Sequence, residues 1–128
     1  MLVKVVSGLI GGTVEVIFFV NDLEVFSYIS QRILHIDLIV TGLALHMVAS
    51  ALVFLVGSLL VEKTGISPNG VLSSLVLGIM FGSSVLALFS IPIHLLIFHF
   101  TLTLGYVFAH IAYGTVSYLV YWVLKLKY

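Results

Sequence analysis

Three ionisable side chains stand inside otherwise apolar runs of this sequence: Glu15, His46 and His110. Burying such a group in a membrane-length segment is costly, so a partner, a cofactor or a solvated path must hold it. Two imidazoles at matching depth could serve as the axial ligands of a haem b. With Glu15 beside them, the same histidines could line a path for protons or ions. In the simplest arrangement each ring bonds a backbone carbonyl, Ser50, a tyrosine or Glu15, and ties helices together. A second set, His35, His94 and His99, falls near the ends of apolar runs and reads as a group at the outer face. His94 and His99 do not share a helical face, so joint metal binding would need the break after Pro92 or a contribution from His35. Bonding to headgroups or water is the simpler expectation, and no metal site is predicted.

Other chemistry finds little material. There is no G-x-S-x-G element, and the acids other than Glu15 lie near the ends of apolar runs, which leaves a Ser-His-acid triad without its third member. No Walker loop, dinucleotide fingerprint or His-Glu-x-x-His occurs. With no cysteine, disulfides, thiolate nucleophiles and cysteine-held metal centres are all excluded. The chain therefore reads as no enzyme in itself, at most as a subunit of one.

The elements that must position these residues are membrane-length. Of 128 residues 62% are hydrophobic and 8% charged, with a mean hydropathy of +1.32, too little polar surface to coat a water-soluble globule. Formal net charge is zero, so no basic field points to nucleic acid. The expected architecture is all-α, one polytopic domain over 1–128. It has four transmembrane helices over about 2–20, 38–61, 68–91 and 101–124, and a short interfacial amphipathic helix over about 21–36. The first run reads as a span, not a cleaved signal, because Glu15 interrupts it and no Ala-x-Ala-like site follows. Gly65 is placed to close the second helix, and Ser67-Pro68 to open the third. Pro92 should end or kink the third, leaving 93–100 as a turn at the membrane edge. Trp122, Lys125, Lys127 and Tyr128 form an aromatic and basic anchor.

Small residues mark the contact faces. Gly8 and Gly12 on the first span, Gly78 and Gly82 on the third, and Gly105 and Gly114 on the fourth are the candidate helix-packing positions. Gly42, one turn before His46, and Gly114, one turn after His110, leave room for a porphyrin or for another helix. His46 lies nine residues beyond Asp37 and His110 nine beyond Thr101. Both therefore sit roughly 13 Å deep, with Glu15 within about one turn of that level. Lys4, Lys63, Lys125 and Lys127 fall on one side and Arg32 on the other, which makes both termini cytoplasmic.

SGLIGGTVEVIFF, LALHMVASALVFLVG and AHIAYGTVSYLVY together resemble the small four-helix integral membrane proteins grouped around the bacterial inner-membrane protein YagU. The resemblance includes His46 and a His-x-x-Tyr-Gly element at His110, Tyr113 and Gly114, whereas Glu15, His94 and His99 depart from it. It implies a four-helix membrane fold and no particular reaction. Three function classes follow. The favoured one is a non-catalytic accessory subunit of a larger membrane complex, such as a respiratory or metal-dependent oxidoreductase, on the ground that the glycine ridges offer more close-packing faces than one bundle needs. The others are a haem-b-binding or quinone-linked cytochrome subunit and a small proton or ion transporter. The expected partners are the lipid bilayer and other membrane subunits.

Overall fold

A computed structural model describes residues 1–99 and 101–127; Phe100 of the expected edge turn and Tyr128 of the expected anchor lie outside the described residues. Among the described residues the chain is all-α, with five helices: α1 (Leu2–Ile17), α2 (Glu24–Leu34), α3 (Ile39–Lys63), α4 (Val71–Phe98) and α5 (Leu104–Lys125). Helices α3, α4 and α5 are long and apolar enough to cross a membrane. Their outward residues, among them Val48, Leu52, Val56, Ile79, Met80 and Leu88, are exposed. Such a surface belongs in lipid. Helix α1 is 16 residues long, about 24 Å of rise, and continues from Phe18 as a series of turns.

Glycines decide how closely the helices approach. A Cβ on Gly78 or Gly82 would overlap the α5 backbone at Gly114, Thr115 and His110, and one on Gly114 would overlap α4. Gly8 and Gly12 place α1 against Ala51 and Ser50 of α3, while Gly11 places it against Tyr113 and Ser117 of α5. Gly42 of α3 receives the backbone of α2 at Phe26. Small residues thus serve as seams between antiparallel neighbours, with α5 between α1 and α4.

The half of the bundle that holds the two chain ends is filled. Phe54, Phe81, Tyr113, Tyr118 and Tyr121 form one aromatic cluster, with Phe54 edge-on to Phe81 and Tyr118 at centroid distances of 5.4 and 5.1 Å. Beyond it Lys4, only 7% exposed, pairs with Glu62, which also accepts from the Tyr121 hydroxyl. Lys4 and Lys125 both lie over the Tyr121 ring, so the two chain ends meet there.

Several sequence expectations are corrected. The third apolar helix starts at Val71, not Pro68, and Ser73 rather than Ser67 bonds its first turn through Asn69 N–H and the Gly70 carbonyl. Pro92 does not end it. Wide turns at Leu86–Ser90 and His94–Phe98 flank the proline, opening the coil where its ring would meet a carbonyl, and the helix runs on to Phe98. The last helix starts at Leu104, where the Thr103 hydroxyl accepts from Tyr106 N–H at 3.2 Å. Gly65 does take a left-handed turn after α3, at φ +83°.

Candidate functional site

Helices α1, α3 and α5 each turn one ionisable side chain into the same space. Glu15 is 4% exposed, and its two oxygens face different helices. Oε1 lies 3.3 Å from Nε2 of His110, and Oε2 lies 3.6 Å from Nε2 of His46. The seams set these distances: Gly12, one turn before Glu15, rests on Ser50, one turn after His46, and Gly11 rests on Tyr113, one turn after His110.

The two imidazoles differ in what they can donate. Nδ1 of His110 lies 2.9 Å from the Tyr106 carbonyl oxygen, which can only accept, so in the neutral ring Nδ1 carries the hydrogen and Nε2 is an acceptor. That Nε2 faces the Ser90 hydroxyl at 2.5 Å as well as Glu15, and Ser90 is hydrogen-bonded in turn to the Tyr106 hydroxyl. His46 is the reverse case. Its Nε2 points at the Gly12 carbonyl at 3.3 Å and is therefore a donor, with the Ser50 hydroxyl at 3.5 Å. Glu15 thus stands between an imidazole whose Nε2 carries a hydrogen, directed at the Gly12 carbonyl, and one whose Nε2 is an acceptor. At 3.3 Å the Glu15 carboxyl group and His110 Nε2 are close enough for a proton to pass between them.

Two cavities meet at this group. The larger, about 580 Å³, runs from Glu15, His46 and His110 beneath α2 to a mouth at Asp22, Glu24, Thr101 and Thr103. The smaller, about 340 Å³, opens sideways between α3 and the far half of α4, walled by Leu45, Ala49, Val53, Phe89, Ile93 and Ile97. His94 lines both, and no lysine or arginine lines either. Toward the other end, the aromatic cluster and the Lys4–Glu62 pair leave the bundle closed.

His94 is not with the outer-face histidines. The wide turns after Val85 carry it inward, where its ring stands 4.6 Å from that of Tyr106, while His35 and His99 end α2 and α4 in left-handed conformations and are exposed. The three outer histidines therefore do not gather. Gly105 is not a packing position either: it sits on the first turn of α5, where no helix lies against it, and lines the larger cavity. The imidazole pair does not fit axial ligation of a haem, since both Nε2 atoms face one carboxyl group and the backbones of α2 and α4 fill the space beside Gly42 and Gly114. Among the described residues, no group of three or more His, Cys, Asp or Glu is arranged to hold a metal ion.

Sequence reasoning passed over Ser90 and Tyr106. Tyr106 is one turn before His110 on the same face, a spacing that could have singled it out. Ser90 carried no such signal, because its direction depends on the wide turn before Pro92. Comparison with protein-family models, with curated proteins and with solved structures gives no match.

Proposed function

We propose that this chain is a four-span membrane protein that works as a small proton or ion transporter, with Glu15, His46 and His110 as its exchange site. In this reading α1 and the turns after it form the first span, α2 lies in the outer interface, and both termini are cytoplasmic. The meeting of Lys4 and Lys125 at one end of the bundle supports that orientation. The observation that carries the transporter reading is the one-sided cleft. It ends at a buried carboxyl group set between two imidazoles and is blocked beyond it by packed aromatic rings, as one access state of a carrier would be.

The accessory-subunit alternative draws on the absence of catalytic motifs and on small-residue ridges left over for a partner, and the second ground can be checked. Gly8, Gly11, Gly12, Gly78, Gly82 and Gly114 are all used within the chain, so that support falls away. No reaction is proposed for the chain itself. In proteoliposomes with an internal pH dye, an imposed gradient should drive proton movement above that of empty vesicles, and Glu15→Gln should remove it. Wild-type vesicles no leakier than empty ones across all imposed gradients would overturn the transporter reading.

A further inference from the structure

The smaller cavity is walled mainly by aliphatic and aromatic side chains of α3, the far half of α4 and Ile29 and Ile33 of α2, and it ends on the same Glu15, His46 and His110 that close the larger cleft. In the four-span arrangement its opening between α3 and α4 faces lipid. A solute entering this way must carry an apolar portion that can lie along Ala49, Val53, Phe89 and Ile93. Its polar end would meet Ser90, His46 and Glu15. Charge then selects among amphiphiles. The one acidic group at the site is Glu15, the mouth adds Asp22 and Glu24, and neither cavity has a lysine or arginine to receive an anionic head. The ring of Tyr106, packed between those of His94 and His110 at 4.6 and 4.5 Å, stands on the side of the larger cleft.

We propose that the exchange site takes amphiphilic monocations, a protonated amine or quaternary ammonium head on an apolar tail, which enter from the lipid through the opening between α3 and α4. This rests on the reading of Glu15, His46 and His110 as an exchange site. The cation and the shared proton compete for one carboxyl group: with the proton present, Glu15 has no charge to offer, and when the proton leaves toward the mouth the ammonium can pair with the carboxylate. The groups facing that carboxyl are His46 from α3, His110 and Tyr106 from α5, and Ser90 and His94 from α4, with Asp22 and Glu24 at the mouth. None of them supplies a fixed positive charge.

Octylammonium, octanol and octanoate share a chain length and differ in head charge, and ethylammonium has the head without the tail. Calorimetric titration of each into the protein in nanodiscs, with empty-nanodisc heats subtracted, tests the proposal. Octylammonium should bind saturably and about ten- to a hundredfold more tightly than octanol or octanoate. It should also bind about tenfold or more above ethylammonium. Its affinity should rise from mildly acidic to mildly alkaline pH. Glu15→Gln should level the three octyl heads, and Ala49→Phe, which fills the lipid-side opening and leaves the carboxyl in place, should weaken octylammonium binding. Equal binding of octanoate or octanol, or octylammonium binding unchanged in either variant, overturns the proposal. If octylammonium fails while the proton movement described above persists, the substrate class is wrong and the exchange site stands; loss of both removes both.

Discussion

The two halves of this bundle are built from the same helices and could hardly be filled more differently. Toward the chain ends, glycine seams draw α1, α3, α4 and α5 together around Phe54, Phe81, Tyr113, Tyr118 and Tyr121, and the Lys4–Glu62–Tyr121 group closes the end. In the other half α1 stops at Ile17, α4 passes through two wide turns, and the space they leave is lined by Glu15, His46, His94 and His110. One half spends its small residues on contact, and the other keeps ionisable groups beside a cleft. Rigidity at one end holds three helices at fixed spacing.

Variants that target the two halves should therefore separate stability from exchange. The largest expected effect is at the glycine seam between α4 and α5, where Gly82→Leu would drive a side chain into the α5 backbone at His110 and Ile111. A loss of about 3 kcal/mol or outright misfolding is expected, read as a lower melting temperature in detergent and poor recovery of monodisperse protein. Lys4→Met is next. Removing the ammonium leaves Glu62 with Tyr121 as its remaining partner, and unfolding in denaturant should show a loss of about 1–2 kcal/mol, the pair being partly exposed.

In the open half, His46→Leu should change stability less than Gly82→Leu while abolishing proton movement, since it removes the imidazole 3.6 Å from the Glu15 carboxyl group and leaves the seams intact. A His46→Leu protein that unfolds as readily as Gly82→Leu would place this histidine in the packing and erase the contrast. The smallest effect belongs to Gly105→Ala. Nothing but the Thr103 hydroxyl oxygen, 3.7 Å away, would meet the added methyl, so helix propensity alone should stabilise by about 0.5–1 kcal/mol. Marked destabilisation would mean that a helix packs there after all.

The division between what could be read from the sequence and what could not follows helical geometry. Rise per residue is fixed, so counting from Asp37 and Thr101 sets His46 and His110 at one depth, and Glu15 close to it. Small residues repeated every fourth position, as in Ser74, Gly78 and Gly82, mark a contact face on any regular helix. Counting fails where the coil is irregular. The turns around Pro92 rotate Ser90 and His94 inward by widening the helix, so an expectation built on a broken helix sent His94 outward with His99. Gly105 misled for a different reason: a glycine indicates room for a neighbour, but only the arrangement of helices decides whether a neighbour arrives. Both cavities were likewise illegible, since they depend on where α4 diverges from α3.

The central claim is that the Glu15 site opens toward α2 and is sealed toward the Lys4–Glu62 end. Because the chain has no cysteine, single cysteines can report on this directly in sealed proteoliposomes of defined orientation. Ser90→Cys places a thiol beside His110, Thr103→Cys marks the cleft mouth, and Ser67→Cys marks the connection after α3. With a membrane-impermeant, positively charged thiol reagent, the cysteines at 90 and 103 should react from the same side and the cysteine at 67 only from the opposite side. Reaction of the cysteine at 90 from the side that labels position 67, or its failure to react while the one at 103 is modified, would contradict the account.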